Sequence, residues 1–455
     1  MTAPAPRWMA WLPAPLRRRL EGREGLQRFA ANSGWLVLDK VLRLGLALAV
    51  GVWVARYLGP LGYGTLNYAL ALVGLFGSFT SLGLDTIVVR ELVAEPGRRD
   101  EVMGSALALR ALSALLATAL VLAYILIFSG QQGAALAVSL VMASTLFWQP
   151  WDLLDVSFQA RMRSRQPVLM RNLAGIAGAL LRGGLVLAHA PVWAFAAAAV
   201  SETALAAALV LAAYAKDGGR PLAWRPDLGR MRRLLKDSWP MMLAAMAIMV
   251  YMRIDQVMLK SMVGDAAVGV YAAALKVSEA WYFIPMALTA SAFPSQVRAR
   301  ERGAAFIGAR LRKSFNLMAM LGYAVALPLS LLARPLVGLL YGPGFAEAGP
   351  ILAVHVWAGL FLCIGLSRDY WLVGEKRTEL ALMSTLLGAA VNVGLNLWLI
   401  PRYGGLGAAW ATVAAQAFYA LGFDLMHPLL RPVFVMQSRA LLLAGLWGRA
   451  EEAKP

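Results

Sequence analysis

Four charged side chains, Arg253, Asp255, Lys276 and Glu279, stand inside the apolar stretch WPMMLAAMAIMVYMRIDQVMLKSMVGDAAVGVYAAALKVSEAWYFIPMALTASAFPS, residues 239–295. Its two apolar runs each reach the ~20 residues that cross a bilayer as a helix. A charge at that depth costs several kcal/mol unless it faces a wet or polar interior, so these groups are expected to look into a cavity. Cations held there would bind an anion: a guanidinium grips two phosphate oxygens at once, and an ammonium acts as a point charge. Arg253 lies about thirteen residues into its run, ~20 Å along the axis, too deep to snorkel to the headgroups. Its stripe is Met246, Met249, Arg253, Gln256 and Lys260. Asp255 points about 200° away around the helix, with ion coupling and charge pairing both open for it. Lys276 and Glu279, three apart, share a face and can pair with each other.

Further charges occur in other apolar runs. Asp39, Lys40 and Arg43 share one face of the first run, where Lys40 can also snorkel and Asp39 can neutralise Arg43. Arg182 is deep in a Gly-rich run, whereas Arg110 is expected as an interface anchor. The intramembrane set is thus Lys40, Arg43, Arg182, Arg253, Lys276 and Arg368 against Asp39, Asp255, Glu279 and Asp369. That balance favours an anionic substrate, with Arg253, Arg43, Lys276, Arg182 and Lys40 as substrate-binding residues and Asp39, Asp255 and Glu279 as coupling or pairing residues. An exporter of drugs or other cations is the rival, and it would need the opposite balance. Thr385, Gly388, Asn392 and Asn396 form a stripe suited to bonding between helices. The methionines of the 239–262 run are adaptable packing.

Other chemistry finds little support. Asp152 and Asp155 have no metal-ligand partner, His189, His355 and His427 are scattered, and Cys363 is the single cysteine, so no metal site or disulfide framework is expected. No phosphate-cradling GxxxxGK[ST] loop occurs, which argues against direct ATP drive. No catalytic motif is present, so an enzyme is not expected. No cofactor is expected either, and coupling to a proton or sodium gradient is left open.

The elements that must position these residues follow from composition. The chain has 455 residues, 60% of them hydrophobic and 15% charged, with a mean hydropathy of +0.63, which excludes a soluble globular domain. Twelve spans are expected, near 33–58, 63–84, 104–128, 133–153, 168–188 and 192–214, two within 239–295, then near 314–340, 347–373, 380–400 and 404–426. A basic arm (1–30) would precede an N-terminal six-helix bundle (31–214), a linker (215–238), a C-terminal six-helix bundle (239–427) and a tail (428–455). The net charge of +18 reads as topology rather than nucleic-acid binding. Of 43 Lys and Arg, about 32 fall on one side, about 4 on the other and about 7 within spans, which puts both termini in the cytoplasm. The far-side loops are too short to hold a catalytic domain. A shift of 205 superposes LGPLGYGTLNYAL (58–70) on VGDAAVGVYAAAL (263–275), and AHAPVWAFAAAAV (188–200) is similar to IPRYGGLGAAWAT (400–412). Two pseudo-symmetric bundles are implied, related by an axis along the membrane normal.

The segments ARYLGPLGYGTLNYALAL, RIDQVMLKSMVGDAAVGVYAAALKVSE, IPMALTASAFPS and IPRYGGLGAAWATVAAQ together resemble the bacterial Wzx-type polysaccharide and O-antigen flippases. That family shares a superfamily with the lipid II flippases and the multidrug and toxin extruders. The resemblance implies an all-α integral membrane fold of twelve helices around a V-shaped central cavity. It implies transfer of an undecaprenyl-pyrophosphate-linked oligosaccharide across the bacterial inner membrane, with the pyrophosphate in a cationic cleft. The partners it implies are membrane lipids, that lipid-linked glycan and other polysaccharide-assembly proteins. The matching positions are Gly59, Gly62, Gly64, Tyr68, Asp255, Gly269, Tyr271 and Pro294, most of them structural.

Overall fold

In the computed structural model, residues 24–127, 130–299 and 304–443 are described, with side chains from residue 45 onward except 128–129, 222, 294–305 and those beyond 443. All regular structure among the described residues is helical. Contacts divide the chain between Val50 and Gly51 into two units, and the account below concerns the second. Most of the expected arm, and the end of the expected tail, lie outside the described residues.

The first helix, α1 (Glu24–Ser81), is broken at Gly59, whose φ of 65° only glycine adopts without strain. Pro60 opens the second limb, where its missing N–H is harmless. Next come α2 (Asp85–Ala94) and α3 (Arg99–Ile127). The basic segment 90–101, expected as a loop, is therefore mostly helical. Its Arg and Glu residues are good helix formers, and only Pro96-Gly97 interrupts them. Within the expected fourth span, α4 (Gly133–Ala143) and α5 (Leu153–Ala160) are separated by 3₁₀ turns around Pro150, which lacks the donor that a continuous helix needs. Two unbroken helices follow, α6 (Arg165–Leu187) and α7 (Val192–Lys216).

Helix α8 (Leu228–Met262) starts inside the segment expected as a linker. Asp227 caps it, accepting the Arg230 N–H at 2.7 Å. The Arg230 guanidinium, 1% exposed, reaches Glu101 (2.6 Å), Glu95 (2.7 Å) and Glu91 (3.1 Å), which ties the start of α8 to α2 and α3. The hydrogen bond from Arg230 holds the Glu95 carboxyl below its ordinary pKa. The expected eighth span is interrupted, with α9 (Asp265–Glu279) ending before α10 (Phe283–Ala299). The remaining helices are α11 (Ala304–Leu331), α12 (Ala333–Tyr341), α13 (Ala348–His355), α14 (Ala358–Gly374), α15 (Thr378–Ala417), α16 (Phe423–Met426) and α17 (Arg431–Leu441). Helix α15 is broken at Gly404, φ 55°.

Among the described residues, eight helical segments are long and apolar enough to cross a membrane. Two of them, Gly45–Ala94 and Thr378–Met426, have 50 and 49 residues. At 1.5 Å per residue each would run to about 75 Å, against a hydrocarbon core of about 30 Å. The breaks at Gly59 and Gly404 divide them. Outward-facing residues confirm a lipid solvent: α3 buries Val102, Met103, Ala106, Ala117 and Val121 but exposes Leu112, Leu115, Leu116 and Leu126.

Candidate functional site

Three helices build one cavity of about 410 Å³. The second limb of α1 supplies Asn67, Leu70, Ala71 and Gly74, α8 supplies Met249, Met252, Arg253 and Gln256, and α9 supplies Ala272, Leu275, Lys276 and Glu279. Each set has the same spacing, i, i+3, i+4 and i+7, which is one face of an α-helix over two turns. Three such faces, converging, make a lined space rather than a filled core because Ala71, Gly74 and Ala272 carry little or no side chain. Arg253, Lys276 and Glu279 are the charged residues lining it. Arg253 Nη2 lies 3.9 Å from Glu279 Oε2, with the two side chains 36% and 23% exposed. That is a loose pair, and Lys276 leaves the cavity with one excess positive charge.

Lys260, which the sequence places on the Arg253 stripe, is not among the lining residues. It pairs with Asp265 and stands 5.7 Å from the Tyr68 ring centroid. Asp255 occupies the other face of α8 and is 2% exposed. Its carboxylate accepts the Gln256 N–H at 2.7 Å and the Tyr271 hydroxyl, so its partner comes from α9. The Tyr271 hydroxyl is 3.4 Å from Thr412 Oγ1 of α15.

Arg182 of α6 pairs at 2.6 Å with Glu202 of α7 and is not among the residues lining the cavity. Glu202 is absent from the charged set read off the sequence, although a lone acid in an Ala-rich helix is the signal for it. Gly178 makes room for it: a Cβ there would fall 2.3 Å from Glu202 Oε2. Asp39, Lys40 and Arg43 sit on α1, but their side chains lie outside the described residues.

Two arginines depart from expectation. Arg368 is 0% exposed, with Asp369 at 2.8 Å and Asp424 at 3.0 Å, so it belongs to a closed network and not to a cavity. Arg110, expected as an interface anchor, is 2% exposed and pairs with Asp85. It turns inward because α3 presents that face to a polar pocket, formed with Asp152, Asp155 and Arg171. Asn392 and Asn396, both fully buried, bond to each other at 3.0 Å within α15.

A family model described as "Polysaccharide biosynthesis protein" matches residues 29–300, and a second, MatE, matches 240–398. Among solved structures, an inward-facing multidrug resistance MATE family transporter of the MOP superfamily aligns with a TM-score of 0.69 and 15% identity, covering 89% of this chain and 96% of its own. The lipid II flippase MurJ in an inward closed conformation gives 0.68 and 14%, with 90% and 92% covered. A MOP superfamily transporter from Pyrococcus furiosus, described as having a binding pocket of reverse polarity, gives 0.57 and 15%, with 90% and 95% covered. No curated protein sequence matches. At these identities the likeness establishes an all-α, multi-pass membrane fold of the MATE kind.

Proposed function

The chain belongs to the polysaccharide biosynthesis protein family, and from that premise we propose that it is a flippase for an undecaprenyl-pyrophosphate-linked oligosaccharide. In this reading it sits in a bacterial inner membrane and moves the lipid from the cytoplasmic to the periplasmic leaflet by alternating access. The observation that carries it is the convergence of Arg253 and Lys276 on a single cavity with one carboxylate between them. A pyrophosphate with about two negative charges must leave headgroup water for this cleft, where an unpaired anion is costly and a charge-assisted hydrogen bond is strong. The loose pair at 3.9 Å is suited to exchange: phosphate oxygens replace Glu279 at Arg253, and the freed carboxylate turns to Lys276 or takes a proton. Glu279 would then link loading to an ion gradient, a role also open to Asp39 and Asp255. Arg182, Arg43 and Lys40 would extend the cationic path.

Arg253→Ala is expected to abolish glycan export at unchanged protein level. Arg253→Lys should keep part of it, because an ammonium retains the charge but not the two-pronged grip. Binding of the lipid-linked pyrophosphate should weaken by about 1.5–3 kcal/mol in the alanine variant, the range for hydrogen bonds to charged groups. Normal export by a well-expressed Arg253→Ala protein would overturn the assignment. The MatE match favours a second reading, ion-coupled export of small-molecule drugs or cations. Resistance to cationic drugs that depends on Glu279 and survives Arg253→Ala would select it.

A further inference from the structure

A second pocket, of about 310 Å³, lies toward the basic loops and is lined almost wholly by polar side chains. Its charges are Asp85, Asp152 and Asp155 against Arg110 and Arg171. They are largely used on one another. Arg171 Nε donates to Asp155 and its Nη2 to Asp152, both at 2.7 Å, and Arg110 Nη2 donates to Asp85. Two buried atoms nevertheless have no hydrogen-bond partner, Arg110 Nε and Asp155 Oδ1, although the Arg110 side chain is only 2% exposed. Leaving such atoms unmet is costly, and a ligand with both donors and acceptors would satisfy them. An anion fits badly, since carboxylates outnumber guanidiniums. Sugar hydroxyls fit, because each gives one hydrogen and accepts others, and the walls carry carboxylate, guanidinium, amide and hydroxyl groups together.

Its position relates it to the first cavity. Asn67 and Gly74 line the cationic cavity, and Ser81 lines the polar pocket. They are seven residues apart in succession, so one face of the second limb of α1 runs through both. From Gly74 to Ser81 is about 10 Å along the axis. That is the scale on which sugars follow a pyrophosphate to which they are joined.

We propose that the pocket between Arg110, Asp155 and Arg171 is a glycan subsite, which holds the first sugars of the lipid-linked substrate while the cavity at Arg253 holds its pyrophosphate. The inference rests on the flippase reading and adds a second contact to it. Selectivity for a glycan over bare carrier lipid would reside here.

The experiment uses the full chain in lipid nanodiscs and two probes. One is undecaprenyl pyrophosphate; the other is the same lipid carrying its glycan, purified from cells that lack the transporter. The unaltered protein should bind the glycan-bearing probe about tenfold more tightly, the worth of one or two good hydrogen bonds. Gln159→Ala and Asp152→Asn, both at exposed positions on the pocket wall, should each remove most of that difference and leave binding of the bare lipid unchanged. Arg253→Ala should weaken both probes alike. Equal binding of the two probes by the unaltered protein, or equal weakening of both by the pocket variants, would overturn the subsite and leave the flippase reading standing. No binding of either probe would overturn both. Thermal unfolding of each variant identifies any loss that comes from misfolding.

Discussion

Arginine plays two opposite parts in this molecule, and the difference lies in how many of its five donors are occupied. In Arg368 they are taken up: Nη1 donates to the Tyr419 carbonyl (2.6 Å) and Asp424 (3.0 Å), Nη2 to Asp369 and Ser384 (each 2.8 Å), and Nε to Asp369 (3.1 Å). The Tyr419 ring lies against the guanidinium, 4.6 Å from centroid to carbon. Asp424 is itself fully buried and accepts from Gln437 at 2.9 Å. Removing the cation strands two carboxylates, so Arg368→Ala should lose about 3–5 kcal/mol of stability, seen as a large fall in thermal unfolding temperature. Arg368→Lys should recover little, because three donors on a flexible stem cannot replace a planar fork. Arg253, with one loose partner, should show the reverse pattern: little change in unfolding and a large loss of transport. An Arg368→Ala protein as stable as the parent would contradict the first half of this contrast. Both arginines announce themselves in the sequence as charges inside apolar runs. What separates them is invisible there, because Arg368 is closed off by Asp424, 56 positions along the chain, whereas among the described residues Arg253 meets only the loose carboxylate of Glu279.

At the scale of elements, the glycines carry the geometry. The shift of 205 that relates the two halves maps Gly59 on Gly264 and Gly64 on Gly269. Gly59 and Gly264 both have positive φ, 65° and 119°, so each half begins its second helical limb with the same left-handed step. Gly64 and Gly269 meet where the two limbs cross: a Cβ on Gly64 would lie 1.7 Å from the Asp265 carbonyl oxygen, and one on Gly269 2.0 Å from that of Pro60. Backbones approach this closely only over small residues. Around the crossing, Arg56 donates to the carbonyls of Leu340, at 2.6 Å, and Leu339, and Tyr63 sits edge-on to Phe345. In the proposed transport cycle this seam would open for a substrate to leave on that side. Gly64→Val should hold it apart, lowering transport and speeding thiol labelling at Asn67→Cys, a buried position below the crossing. Unchanged labelling would mean the seam does not gate the cavity. The repeat was legible because a tight crossing and a left-handed turn each demand one residue type at one place. The anchoring of α8 was not, since Arg230 and its three glutamates read in sequence as ordinary loop charges.

For the whole molecule, direction of transport depends on which face of the membrane the basic end occupies. The polar pocket adjoins the basic loops, with Arg171 of its wall following Arg161 and Arg163, which both hold Asp217. On the proposed function, substrate would therefore be gripped from the basic end, and the excess of Lys and Arg there would place that end in the cytoplasm. Single cysteines at Lys216→Cys and Gln132→Cys, in a Cys363→Ala background, test the orientation, since both positions are exposed and lie at opposite ends of spans. Their glycine neighbours Gly218 and Gly130 are poorer sites, because φ values of 79° and 58° would strain any side chain. Cys363 is fully buried and loses only a small group on truncation. An impermeant thiol reagent added to intact cells should label Gln132→Cys and spare Lys216→Cys until the cells are permeabilised. The reverse pattern would put the glycan pocket on the outer side. The same cavity, pocket and seam would then load from the periplasm, and export would have to give way to retrieval of a lipid-linked glycan.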